Sequence, residues 1–350
     1  MTEITTAPYG SWKSPIDAGE IASGSMRLGE TRVLGDAVYW TEMRPSEGGR
    51  YVVMRWLPGQ EAEAVSPPEV SVRTRVHEYG GAAWRPLEDG RLVYVDYSDQ
   101  VLYLWGGEGE PQALTDSRAR YADFEPDPRR GRLLAVCEDH SRGEEPFNGL
   151  AAIDLDGGGV EILVEGNDFY SAPRLSPDGR TLAWLTWNHP DMPWDAAELW
   201  IGDVTDDGAV VNKRHVAGGP RESVAQPQWS PQGVLHFISD RDSGWWQIFR
   251  YSARGIDALT HERAEFAMPQ WVFGMSSYGF GSDGRIVCTY TADGLWHLAT
   301  WEHGVGLERM QCDYTSISYL RVDGDTAAFV GGAADRPAAV VMMDLATGRT

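Results

Sequence analysis

The chain has 350 residues, 42% of them apolar and including 15 Trp, 14 Tyr and 9 Phe, so it can fill a packed core and lacks a disordered composition. Its formal charge of −22 leaves no basic surplus to displace counterions from a phosphate backbone, which argues against a nucleic-acid partner. The three cysteines, Cys137, Cys288 and Cys312, are not a disulfide scaffold, and no apolar run is long enough to span a bilayer.

From the N-terminus, MTEITTAPYGSWKSP has neither a basic start nor an apolar run. Residues 1–24 read as an extension, without a secretion signal, and a cytoplasmic location with no membrane partner is expected. One pattern then fills residues 25–350. A short apolar strand that ends a hairpin recurs as YVVMRWL (51–57), VLYLWG (101–106), LAAIDLD (150–156), ELWIGDV (198–204), WQIFRYS (246–252), GLWHLA (294–299) and AVVMMDL (339–345). Copies about 50 residues apart, built only from short strands, are the signature of β-propeller blades. The prediction is an all-β chain, a seven-bladed β-propeller of four-stranded antiparallel blades.

In the second unit, EYGGAAW (78–84), RLVYVDY (91–97), QVLYLWG (100–106) and PQALT (111–115) read as four strands. Later units are sharper: PRLSPDGRTLAWLTW (173–187) and PQWSPQGVLHFISDR (227–241) both read strand, Ser-Pro-x-Gly turn, strand. The proline presets φ at the first corner and the glycine accepts the positive φ that closes the hairpin. Outer fourth strands are expected at 61–65, 159–164, 213–217, 255–260 and 306–310. The seventh unit (316–332 and 339–348) reaches Thr350 before a fourth strand. The favoured reading is a chain that is part of something longer; the alternative is that residues 20–34 close the ring by pairing at the seam. The best helical candidate, 262–270, is short and broken by Pro269, so no α/β enzyme core is expected within these residues.

No Gly-x-Ser-x-Gly nucleophile elbow occurs; the nearest text is GMSSYG (274–279), whose Ser276 and Ser277 read as turn residues. The eight histidines include no pair at ligand spacing on one element, and the glycine-rich runs lie in hairpin turns rather than between strand and helix. Neither a catalytic residue, a metal nor a cofactor is expected. Two stretches stand out as contact surfaces. VRTRVHEYGG (72–81) puts Arg73, Arg75, His77 and Glu78 just before or inside an innermost strand, where side chains approach the channel. WNHPDMPWDAAELW (187–200) replaces a short hairpin with a longer loop carrying His189, Asp191, Trp194 and Asp195, with Trp194 expected at an exposed tip. The plainer alternative has Trp194 tucked under the blade and His189 capping a turn.

Four segments carry a family likeness. TAPYGSWKSPI (6–16), VRTRVHEYGG (72–81), FYSAPRLSPDGRTLAWLTWNHPDMPWD (169–195) and PQWSPQGVLHFISDR (227–241) resemble the amino-terminal propeller of bacterial serine peptidases of the prolyl oligopeptidase family, in particular its dipeptidyl-peptidase and acylaminoacyl-peptidase branch. That resemblance implies an α/β-hydrolase domain, absent from these residues, that follows in the same polypeptide and carries the Ser-Asp-His triad. It also implies a non-catalytic propeller that restricts access to short peptides and touches the substrate's amino end. No pattern here matches the paired-glutamate amine clamp of the dipeptidyl-peptidase branch. Two other readings stand beside it: a stand-alone interaction scaffold, and an enzyme in the propeller channel using His77, Glu78 and His189.

Overall fold

The computed structural model describes residues 6–24, 26–157 and 159–350. Each repeated hairpin strand is the third strand of its own antiparallel sheet, at Arg50–Trp56, Leu102–Trp105, Phe147–Asp154, Glu198–Val204, Gln247–Ser252, Leu295–Glu302 and Arg336–Asp344. Six sheets have four strands and the seventh has three among the described residues, with the strands of each sheet in chain order. We number these blades 1 to 7: 27–64, 84–113, 119–164, 169–218, 224–258, 278–309 and 316–344.

Middle strands are apolar on both faces because neighbouring blades cover both. In Arg132–Asp139 every residue but the last is buried, whereas the outer strand Val210–Gly218 is largely exposed. Six apolar clusters form the core, most of them sandwiched between consecutive blades; Val38, Trp40, Val52 and Met54 of blade 1, for example, pack with Ala328, Val340 and Met342 of blade 7. That cluster closes the ring without a shared sheet. The Ser-Pro-x-Gly hairpins form as expected: Gly179 and Gly233 have positive φ, and their N–H groups donate to Ser176 O and Ser230 O, both at 2.8 Å.

The first strands are the innermost, and those of blades 7 and 1, 2 and 3, 3 and 4, 4 and 5, and 6 and 7 touch one another. Here the backbone follows a rule not visible in the sequence. Glu30, Ala82, Asp123, Ala172, Gln226 and Tyr319 occupy equivalent positions in six innermost segments, all with positive φ, and pairing registers of blades 1, 3, 4, 5 and 7 shift there. The bulge turns polar groups sideways into the next blade. Glu30 Oε1 accepts the Ala82 N–H, Asp123 N–H donates to Ala82 O (3.0 Å), and Asp123 Oδ2 accepts the Ala172 N–H (2.8 Å). Trp229 Nε1 donates to Arg174 O (3.0 Å), Gln226 Oε1 accepts the Ser277 N–H (2.8 Å), and Leu320 N–H donates to Ser276 O (3.0 Å). Thr31 Oγ1 donating to Tyr319 O completes the circle.

Three expectations are corrected. Residues 20–34 do not pair with blade 7: Arg27–Leu34 is the innermost strand of blade 1, paired with Ala37–Arg44. The weak helical candidate at 262–270 is not helical, in keeping with its break at Pro269; the described α-helices are Ala18–Gly24 and Pro193–Ala196. Ser276 and Ser277 are buried at the approach to an innermost strand, where they bond neighbouring blades, rather than lying in a surface turn. EYGGAAW is not a strand, since the innermost strand of blade 2 starts only at Trp84. His77, Glu78, Gly80, Gly81 and Ala82 all have positive φ, which an extended strand forbids. This segment instead meets the connection between blades 5 and 6, from the opposite side of the ring: Phe273 N–H donates to Gly80 O (2.9 Å), and a Cβ on Gly81 would lie 2.4 Å from Phe273 O.

Candidate functional site

Where those two connections meet, a cavity of about 1060 Å³ opens between blades 2, 3 and 4 and the loop before blade 6. Its walls come from five connections: 76–80, 138–148, 165–169, 187–194 and 270–273. Loops carry it because the strands beneath fix where each loop starts and ends.

The floor is His77. Its ring lies 5.0 Å from Phe169, 5.6 Å from Trp187 and 5.0 Å from Phe273, centroid to centroid. Burial pushes its pKa down to about 4 against the opposing pull of Glu138 and Asn148, so the imidazole is neutral near pH 7. Its backbone N–H donates to Glu138 Oε2 at 2.7 Å. Glu138 is buried and also takes Arg120 Nη1 at 3.1 Å and His140 Nε2 at 2.6 Å on Oε1.

The rim is aromatic and acidic. Trp194 packs on Trp271 at 4.5 Å, and Trp271 meets Tyr79 edge-on at 5.6 Å. Asp168 Oδ2 accepts both the backbone N–H (2.8 Å) and Nδ1–H (3.1 Å) of His189, orienting that exposed ring against Phe169 at 4.8 Å. Glu78, Glu138, Glu145, Glu165, Asp168 and Asp191 line the cavity, and no lysine or arginine does so among the described residues.

Five of the eight predicted contact residues meet here: His77, Glu78, His189, Asp191 and Trp194. Arg73 and Arg75 do not; both are exposed and lie on the Tyr97 ring, at 4.9 and 4.3 Å. Asp195 lies behind the wall and accepts the Met192 N–H at 3.1 Å, holding the start of Pro193–Ala196. Trp194 is half-buried against Trp271 rather than standing at an exposed tip. Sequence reading missed Tyr79, Phe147, Phe169, Trp187, Trp271 and Phe273. The available signal was aromatic residues at strand ends and in connections, such as DFY (168–170), where the first strand of blade 4 begins at Phe169, and PQWVFG (269–274).

Aromatic faces and carboxylates together suit a cation with an apolar body: ring quadrupoles and negative charge attract an ammonium group, and the rings cover the rest. No serine, threonine or cysteine lines the cavity among the described residues. No group of three or more His, Cys, Asp or Glu side chains is placed to hold a metal among the described residues, and no helix there is long and apolar enough to cross a membrane.

No protein-family model matches the chain, and no curated protein does. Solved structures do. A puromycin-hydrolysing peptidase of Mycobacterium tuberculosis superposes with a TM-score of 0.91 at 36% identity, over 99% of this chain and 56% of that one. A puromycin hydrolase gives 0.90 at 35% identity, with the same 99% and 56%. Prolyl oligopeptidase B from Galerina marginata, at 12% identity and a TM-score of 0.69 over 93% of this chain and 49% of that one, shares the fold. The chain thus spans little more than half the length of the puromycin-hydrolysing relatives. A seven-bladed ring with 35–36% identity to these peptidases along nearly its whole length belongs to the prolyl oligopeptidase (S9) family, as its propeller domain.

Proposed function

We propose that this propeller selects substrates for a serine peptidase, working with an α/β-hydrolase domain of the same polypeptide, and that the aromatic, acidic cavity receives the free amino end of a short peptide or aminoacyl amide. The observation that carries the reading is the cavity's composition: six carboxylates, two tryptophan rings in tilted contact at 4.5 Å and no lysine or arginine among the described residues. An α-ammonium group is drawn to such a wall, and a substrate with an aromatic first residue buries that residue against Trp194, Trp271 and Phe169. Two of the puromycin-hydrolysing relatives superpose on nearly the whole chain, and puromycin carries both features, a free α-amine and an aromatic aminoacyl group. It is therefore the first ligand to test. In this role the ring contributes selection and the partner domain contributes the nucleophile.

The test is calorimetric titration of the 350-residue chain with puromycin and with its N-acetyl derivative. Saturable binding that acetylation weakens tenfold or more supports amine recognition. Equal binding of both compounds, or none of either, sinks it. A parallel assay on a polypeptide of the relatives' length, with aminoacyl amide substrates and a serine-directed inhibitor, tests the peptidase assignment separately.

A further inference from the structure

Four arginines project from the innermost strands of different blades: Arg32 from Arg27–Leu34, Arg85 from Trp84–Pro86, Arg174 from Phe169–Leu175 and Arg321 from Ser316–Asp323. Around them lie three carboxylates, Glu30, Asp123 and Glu125. Those carboxylates are largely committed. Asp123 takes Arg174 Nη2 at 2.9 Å and the Ala172 N–H at 2.8 Å. Glu125 takes the Leu175 N–H at 3.3 Å and faces Arg85 Nη2 at 3.9 Å. Glu30 Oε1 is bound to the Ala82 N–H, while its Oε2 is buried without a hydrogen-bond partner among the described residues.

Arg32 and Arg321 are left without an ion pair among the described residues. Arg32 is 7% exposed, its guanidinium sits 5.7 Å over the Trp84 ring, and its Nε has no hydrogen-bond acceptor there. Arg321 Nη2 donates to Gly274 O at 2.6 Å, while its Nε is buried and unpartnered. Four guanidinium groups face three carboxylates, Glu30 being the one that acts on both Arg32 and Arg321. One buried positive charge is left uncompensated, and a surplus of this kind calls for a negative ligand. The mutual repulsion is felt: burial and then the neighbouring arginines lower Arg32, and burial with Arg174 brings Arg321 to about 10.

We propose that Arg32, Arg85, Arg174 and Arg321 form a site on the propeller axis for a small oxyanion, either free inorganic phosphate or the terminal carboxylate of a peptide. Planar guanidinium forks match both anions, offering paired N–H donors to two oxygens. The site is distinct from the amine-binding cavity in charge and in residues, and it stands whether or not that cavity takes an amine.

The test is thermal unfolding and calorimetric titration of the 350-residue chain, with sodium phosphate and with an N-acetylated tripeptide acid against its C-terminal amide, at ionic strength fixed by chloride. A saturable rise in melting temperature with one oxyanion, at least tenfold weaker in Arg32→Met, is expected. Response to phosphate alone assigns the site to free phosphate; response to the tripeptide acid and not its amide assigns it to a peptide carboxylate. Glu30→Gln, which keeps an acceptor for Ala82 while removing a competing charge, should tighten binding severalfold. That variant guards against misreading a folding defect in Arg32→Met. No saturable response beyond chloride, or identical affinities in wild type and Arg32→Met, overturns the proposal.

Discussion

Glu138 Oε2 accepts the backbone N–H of His77 at 2.7 Å, fastening the left-handed turn before blade 2 to the middle strand of blade 3. His77 and Glu78 sit at φ of 51° and 67°, strained for residues with side chains. An acceptor that holds the turn offsets that strain, and the same carboxylate anchors Arg120 and His140. Structure here precedes function: the cavity floor depends on a turn that depends on one buried carboxylate.

Glu138→Ala should therefore be among the most damaging single substitutions in this wall. It removes the ion pair of Arg120, leaving it the Arg75 carbonyl at 3.3 Å, and leaves the His77 N–H unpaired, for a loss of about 3 kcal/mol. Glu138→Gln retains an acceptor and should lose about half as much. Urea unfolding of both variants measures the difference, and equal losses would show that the charge itself matters rather than the acceptor.

Stability should fall as the solution is acidified through a defined window. His77 and His236 both titrate at about 4 in the folded protein, held down by burial, against 6.5 for an unperturbed imidazole. Between those values the unfolded chain binds more protons than the folded one, so stability rises with pH there. It is undiminished above pH 6.5 and penalised in full below 4, by about 3 kcal/mol per ring. Carboxylates that are lowered, such as Asp139 beside Ser141 and Arg142, titrate below this window; burial raises Glu30 and Asp240, which opposes the histidine slope, and lowers His297, which adds to it. Denaturation midpoints from pH 4 to 7 measure the slope, which His236→Gln should roughly halve.

The blades were legible because each repeat writes its own hairpin: apolar alternation, Ser-Pro-x-Gly turns and third strands such as Glu198–Val204 are local. The cavity was only half legible. His77, Glu78, His189, Asp191 and Trp194 stood in conspicuous loops, but Trp271 and Phe273 come from about the opposite side of the ring, and only closure of the propeller brings them to His77. The ring of clamps was hidden for another reason. Glu30, Asp123 and Gln226 share a backbone conformation and a position, not a residue type, so nothing in the text aligns them. The Gly80–Gly81 pair was read as part of a strand because the contact that demands glycine lies almost 200 residues away, at Phe273.

Gly81→Ala tests that contact. Gly81 has φ of 97°, and an added methyl would lie 2.4 Å from Phe273 O and 2.8 Å from Phe273 N, both backbone atoms that cannot swing aside. A loss of about 2–4 kcal/mol is expected, combining the forbidden φ with the clash. Hydrogen exchange should show faster exchange at Phe273 and its neighbours while the Glu198–Val204 strand of blade 4 stays protected. Uniform loss of protection in every blade would instead mean that the clasp holds the whole ring.

The two tryptophans at the rim should separate binding from stability. Trp271 is 52% exposed and packs at a tilt on Trp194, so Trp271→Ala removes a wall of the cavity while burying nothing new and opening no core void. Phe273 is 4% exposed and packs on His77, so Phe273→Ala should cost about 3–4 kcal/mol of stability, as for other buried aromatics. If the rings hold an ammonium-bearing ligand, Trp271→Ala should weaken puromycin binding about tenfold, near 1.4 kcal/mol, with the melting temperature almost unchanged. Tryptophan fluorescence titration reads the affinity and circular dichroism reads the fold. Unchanged affinity in Trp271→Ala would move recognition away from the rim and onto the carboxylates deeper in the cavity, where Glu138 and His77 already meet.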